Sequence, residues 1–183
     1  MKRRLRDLIR EYVVLLEGEA RRKLVVFDFD DTLVRTGSLI RVTTRDGKRF
    51  SLTPGEYATY DTDPGDTFDF SDFERLIDPE EIPWTGRILR SVLRRGGEVV
   101  ILTARSSPLP VQQFLRDAGL PDVEVIAVGT ADPAAKADYI SGRIEGGVDH
   151  VEFFDDSHRN IRAVEALSAL HPHARIVVRH VVH

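Results

Sequence analysis

The sequence predicts an α/β fold, a doubly wound parallel sheet with a small β-hairpin and loop insertion after its first strand. Three observations predict it. Short β-branched and aromatic runs alternate with stretches of helical periodicity over most of the chain, the pattern of crossover βαβ units. Several of those runs end in polar groups: Asp28 and Asp30 after the first, Thr103 after the second, Asp155 and Asp156 after the fourth. Between the first two runs the punctuation is that of a hairpin, Arg45-Asp46-Gly47 set between alternating segments. One acidic strand end arises easily by chance. Polar ends at equivalent positions of a doubly wound sheet would converge on the crevice beyond the strands' carboxyl ends, where ligands collect.

Each element has its own justification. From Met1 to Arg22, Leu5, Leu8, Ile9, Val13, Leu15 and Leu16 recur near a 3.6-residue period and predict an amphipathic helix. Its basic face of Lys2, Arg3, Arg4, Arg6 and Arg10 is either solvated or a site for a phosphate-rich partner. Lys23 to Phe29 is apolar without alternation, as in a strand covered on both faces. Leu39 to Thr44 and Lys48 to Leu52 form the hairpin, a flap over the crevice or a decorative edge. Thr53 to Pro83, rich in Pro, Gly and Asp, predicts a long irregular loop with one helical turn around Asp72 to Ile77. Its Tyr57, Tyr60, Phe68, Phe70 and Phe73 argue for packing between hairpin and body, with base stacking as the alternative.

Order then becomes regular. Pro83 and Trp84 open a helix carrying Ile88, Leu89, Val92 and Leu93, closed by Gly96 and Gly97. Val99 to Leu102 is the second buried strand. Pro108 and Pro110 begin a helix with Val111, Phe114 and Leu115 inward and Gly119 as its stop. Val123 to Val128 is the third strand. Asp132 caps a helix with Pro133 in its first turn, carrying Lys136 and Ile140. Val151 to Phe154 is the fourth strand. Ser157 is expected to cap the next helix, whose apolar side is Ile161, Val164, Ala166 and Leu167. Ala174 to Val182 is the last strand.

Composition bounds what such a chain does. Its 183 residues fit a single domain, 1–183, with residues 33–83 as the insertion, and 42% hydrophobic with 31% charged residues is ordinary for a globular protein. The absence of cysteine excludes disulfides, thiolate zinc sites and a cysteine nucleophile, and is compatible with a reducing cytosol. Apolar runs are strand-length and no secretory h-region is present, so the expectation is a soluble, cytoplasmic protein without membrane contact. A net charge of −4 is not the footprint of a nucleic-acid binder, although basic residues crowd the first two dozen positions and acidic ones crowd Asp61 to Glu81. His171, His173, His180 and His183 are irregularly spaced, which reads as surface or strand residues, with a zinc site as the alternative.

Asp28 and Asp30, two apart, share a side if the extended form persists, and a divalent cation would relieve their repulsion. The plainer reading is an acidic turn after a core strand. With the later strand ends added, the chain resembles the haloacid dehalogenase-like (HAD) superfamily of phosphohydrolases, whose fold is Rossmann-like. Asp28-Phe29-Asp30-Asp31-Thr32 matches its DxDxT motif, Thr103 its second-motif Ser/Thr, Lys136 its third-motif lysine and Asp155-Asp156 its acidic fourth motif. The resemblance covers roughly Lys23 to Ala169.

The resemblance implies roles for these residues. Asp28 is the nucleophile, forming an aspartyl phosphate, and Asp30 is the general acid and then the base. Mg²⁺ is held by Asp28, the Asp30 backbone carbonyl and Asp155, with Asp156 direct or through water. Thr103 donates to a phosphoryl oxygen, Lys136 offsets negative charge, and Thr32 belongs to the substrate-binding motif. Arg105, two residues after Thr103, is similar to the Thr-x-Arg of polynucleotide kinase phosphatase domains and is either a phosphate contact or a salt-bridged loop residue. The insertion is small beside the family's helical caps, which implies an open site.

The implied function is a Mg²⁺-dependent phosphomonoester hydrolase acting on a phosphorylated substrate. That substrate is either a nucleic-acid 3′ end or a nucleotide or small metabolite. The competing class is a phospho-acceptor, receiver-like signalling module, against which the second aspartate, Asp30, argues.

Overall fold

The structure, a computed structural model, describes residues 22–182. The amphipathic helix expected ahead of them lies outside the described residues, as does His183. The central sheet is built from β1 (Lys23–Phe27), β7 (Glu98–Thr103), β8 (Glu124–Ala127), β9 (His150–Asp155) and β10 (Arg175–His180). It has five strands in the order β10-β9-β1-β7-β8, every neighbouring pair parallel. The first strand is therefore central and the connections cross over on both sides of it.

Alternate residues of β1 supply two cores, because successive side chains of a strand leave opposite faces. Val25 and Phe27 pack with Val99 and Ile101 against Leu89 of the helix α2 (Pro83–Arg94) and Val111 and Leu115 of α3 (Leu109–Asp117). Leu24 and Val26 pack with Val100, Leu102 and Phe153 against Ile140 and Ile144 of α4 (Pro133–Glu145) and Ile161, Val164 and Leu167 of α5 (His158–Leu170). Helices thus cover both faces, which is why β1 is apolar without alternation. The rings of Phe27 and Phe154 stack at 4.6 Å where the first core approaches the strand ends.

The insertion is more regular than a loop. Its base is closed by antiparallel pairing of β2 (Val34–Arg35) with β6 (Glu80–Glu81). The expected hairpin is present as β3 (Ile40–Thr43) and β4 (Arg49–Leu52), but β5 (Thr67–Asp69) adds to the other edge of β3 and makes a three-stranded sheet. The irregular stretch expected from Thr53 also contains a helix, α1 (Pro54–Thr59), and a 3₁₀ turn, Ser71–Glu74, that stops short of the expected Ile77. α1 forms because Thr53 and Glu56 make a reciprocal capping box and Pro54 sits at its first turn. Tyr57 binds the pieces together, its ring 5.4 Å from both Phe68 and Phe70. The aromatics pack, as one of the two sequence readings held. Among the described residues no helix is long and apolar enough to cross a membrane.

Candidate active site

β1 ends at Phe27, yet the backbone N–H of Asp28 still donates to Phe154 O at 2.9 Å, so Asp28 keeps sheet register at the mouth of the crevice. The chain then turns back on itself. Leu33 N and Val34 N both donate to Phe29 O, at 2.9 and 3.0 Å, and Asp31 N donates to Val34 O at 2.9 Å. Asp31 takes a φ of +55°, a left-handed conformation that aspartate tolerates better than most residues. This turn separates the two aspartates that an extended strand would have kept on one side. Asp28 meets Lys136, and Asp30 meets Arg105.

Lys136 projects from the first turns of α4, whose start is fixed by Asp132 accepting from Ala134 N at 3.0 Å. Its ammonium bridges Asp28 Oδ1 at 2.6 Å and Asp155 Oδ2 at 2.7 Å, and all three residues are buried. Asp155, at the end of β9, also accepts from Ser157 N at 2.8 Å and from the Asn160 side-chain amide at 3.0 Å to each oxygen. Ser157 was expected to cap α5 with its hydroxyl. The hydroxyl makes no capping bond, and its backbone N–H serves Asp155 instead.

The electrostatics follow from burial. Removal from water pushes the Asp28 carboxyl well above the ordinary range, against the pull of Lys136, while Asp155, Asp156 and Asp30 push the same way as burial. Burial opposes the charge on Lys136, but Asp155 and Asp28 outweigh it and raise its pKa, so the ammonium persists. Asp156 is pushed up to about 7, by burial first and then by Asp155 and Asp31. One ammonium is thus shared among more carboxylates than it neutralises.

Thr32 is fully buried and braces this acidic end. Its hydroxyl accepts from Asp156 N at 3.1 Å and lies 3.5 Å from Asp156 Oδ1, while its carbonyl accepts from Thr85 Oγ1 at 2.7 Å. Expected as a substrate-binding residue, it lies against the Asp155–Asp156 loop. Thr103 ends β7, buried, with its hydroxyl accepting from Arg105 N at 3.2 Å.

Arg105 takes the salt-bridged alternative. Nε donates to Asp30 Oδ2 at 2.9 Å and Nη2 to Asp30 Oδ1 at 2.7 Å, while Nη1 donates to the carbonyls of Phe73 and Arg75 at 2.8 and 3.1 Å. Its side chain is 0% exposed, which leaves no open face toward a phosphate in this arrangement. Thr36 also donates to Asp30 Oδ1, at 3.2 Å.

Sequence reasoning missed Asn160, Thr36, Thr85 and the two insertion carbonyls. Asn160 carried a usable signal, a polar residue one turn into the helix that follows an acidic strand end. The carbonyls carried none, since any residue supplies one. Of the histidines, His171 is buried with its Nε2 2.7 Å from Ser141 Oγ, and His180 stacks on His158 at 3.7 Å.

Among the described residues no three acidic, histidine or cysteine side chains stand as a ready-made cage for a metal ion. The donor chemistry nevertheless suits a small hard cation, for Asp28, Asp155 and Asp156 offer only oxygen and crowd around a single ammonium. A cation that retains several waters needs one or two carboxylates and no closed cage. No protein-family model matches the chain, and no curated protein is similar enough to it to count as a match.

Proposed function

We propose that this chain is a Mg²⁺-dependent phosphomonoester hydrolase of the HAD type, working through an aspartyl phosphate on Asp28. The observation that carries the reading is the Asp28–Lys136–Asp155 bridge at the carboxyl end of the sheet, with a second aspartate, Asp30, close in sequence but held by different partners. A carboxylate with no further role would need only the lysine.

In the reaction an Asp28 oxygen attacks phosphorus, the bond to the leaving oxygen breaks, and Asp30 delivers a proton to that oxygen. Asp30 then takes a proton from water as the water attacks phosphorus. The bond to Asp28 breaks and inorganic phosphate is released. Lys136 holds Asp28 oriented and balances charge as the dianion approaches. The Thr103 hydroxyl is the phosphoryl donor, a contribution of roughly 3 kcal/mol in sites of this kind. Mg²⁺, held by Asp28, Asp155, the Asp30 carbonyl and Asp156, would screen the phosphoryl charge.

Within this reading a nucleotide or small metabolite is favoured over a nucleic-acid 3′ end. Arg105, the residue that linked the chain to polynucleotide phosphatases, is buried on Asp30, and the insertion beside the site has more acidic than basic residues. Release of phosphate from para-nitrophenyl phosphate, with and without Mg²⁺, in wild type and Asp28→Asn tests the reaction. Panels of phosphorylated oligonucleotides and nucleotides then choose the substrate class. Turnover absent in wild type on every substrate overturns the reading in favour of a phospho-acceptor module.

A further inference from the structure

Arg105 links the Asp30 carboxylate to the 3₁₀ turn of the insertion. On one side its guanidinium holds both oxygens of Asp30, and on the other it donates to the carbonyls of Phe73 and Arg75, at the end of the 3₁₀ turn and just beyond it. The guanidinium carbon lies 4.9 Å from the centre of the Phe73 ring and 5.8 Å from that of Phe29. The turn is itself fixed from the insertion sheet. Asp72 is buried, ion-paired to Arg41 of β3 at 2.8 Å, and accepts from Leu39 N at 3.3 Å, while Ser38 Oγ donates to Asp72 O at 3.3 Å. A fork with five donors suits such a junction, since it grips a carboxylate in the plane with two of them and keeps others for carbonyls.

We infer that Arg105 is the positioning residue for Asp30, and that the docked insertion completes the proton-transfer apparatus through it: Arg41 and Asp72 set the turn, the turn's carbonyls set Arg105, and Arg105 sets the carboxylate. The inference rests on the phosphomonoesterase reading for its kinetic consequence but not for the linkage itself. A guanidinium on both oxygens fixes the plane of Asp30 at the mouth of the site. Lysine in this place keeps the charge and loses the two-point grip together with one or both carbonyl contacts.

The kinetic test compares kcat/KM of wild type, Arg105→Lys and Arg41→Gln on 2,4-dinitrophenyl, para-nitrophenyl and simple alkyl phosphates, because kcat/KM reports the first phosphoryl transfer. Dinitrophenolate leaves without a proton, whereas an alkoxide needs one. Misplacing the acid should therefore leave the dinitrophenyl ester within about threefold of wild type and slow the alkyl ester by roughly a hundredfold. Arg41→Gln, on an exposed side chain away from the chemistry, is expected to follow the same order with a smaller loss. An equal loss on all three esters overturns the inference, since it marks Arg105 as a phosphate contact or a merely structural residue. Amide hydrogen exchange supplies a readout independent of turnover. In Arg105→Lys, exchange across residues 71–77 should rise at least tenfold while β1 and β7 stay protected, and unchanged exchange there overturns the linkage. If wild type hydrolyses none of the esters, the phosphatase reading fails and the exchange result alone decides the coupling of insertion to Asp30.

Discussion

The ammonium of Lys136 lies 2.6 Å from Oδ1 of Asp28, a contact between residues 108 apart in sequence and both buried. Neither charge is tolerable there without the other. Lys136→Met leaves Asp28 and Asp155 buried without their cation, and breaking a buried pair from one side costs about 3–5 kcal/mol. The variant should lose that much stability in urea or thermal unfolding at pH 7 and lose phosphatase turnover. The stability deficit should shrink in mild acid, because protonation of Asp28 removes the uncompensated charge.

Asp156 makes the stability of the whole protein depend on pH. Its carboxyl titrates at about 7 in the fold, against 3.8 when unfolded, so between those values the folded state binds more protons than the unfolded one. The contribution is complete below about pH 4 and is lost as pH rises toward 7. Asp28, raised in the same direction, adds to the slope. Melting temperature should fall across that window, and Asp156→Asn should flatten the curve.

The same charge excess predicts the response to metal. Mg²⁺ competes with protons for these oxygens, so millimolar Mg²⁺ should raise the melting temperature by more at pH 8 than at pH 5. Equal stabilisation at both values would place the ion elsewhere.

Asn160 donates to both oxygens of Asp155 and thereby fixes the plane of a proposed metal ligand. Asn160→Leu should weaken Mg²⁺ activation by about 10–100-fold, the usual size of an effect on a ligand's supporting partner, with little change in the fold. Titration of activity against Mg²⁺ concentration measures it.

Thr32→Val tests the brace against the Asp155–Asp156 loop. The shape is kept but Asp156 N loses its acceptor, and a partly buried N–H left unpaired costs about 1–3 kcal/mol. Chemical denaturation should show that loss. Activity should fall through Mg²⁺ affinity rather than through the affinity for substrate.

The parallel sheet was legible because its strands are apolar on both faces and stop at charges, and the helices because Pro, Asp and Gly mark their ends. That reading led to Asp28 and Asp155, the motif resemblance added Lys136, and the fold brings the three into one bridge. Less of the insertion could be read. β5 is only Thr67-Phe68-Asp69, a single alternation that becomes a strand because β3 offers a free edge. The cap at Thr53 and Glu56 was visible in the sequence, yet a six-residue helix with Gly55 inside it has almost no periodicity to announce it. Arg105 with Asp30 was beyond sequence reasoning for another reason. The pair spans 75 residues and depends on a turn that reverses the direction of Asp30 and on two carbonyls that any residue could supply.

The most direct measurement combines Asp30→Asn with 2,4-dinitrophenyl phosphate and Mg²⁺, followed by acid quench and peptide mapping. This leaving group needs no acid, so Asp28 should still be phosphorylated, while the missing base should prevent its hydrolysis. The account predicts a burst of about one dinitrophenolate per protein and a hydroxylamine-labile phosphoryl group on Asp28, alongside continuous turnover in wild type. Continuous turnover in wild type with no adduct in the variant, or with an adduct on another residue, would contradict Asp28 as the nucleophile. A wild-type protein that is itself phosphorylated once and goes no further would contradict the enzyme.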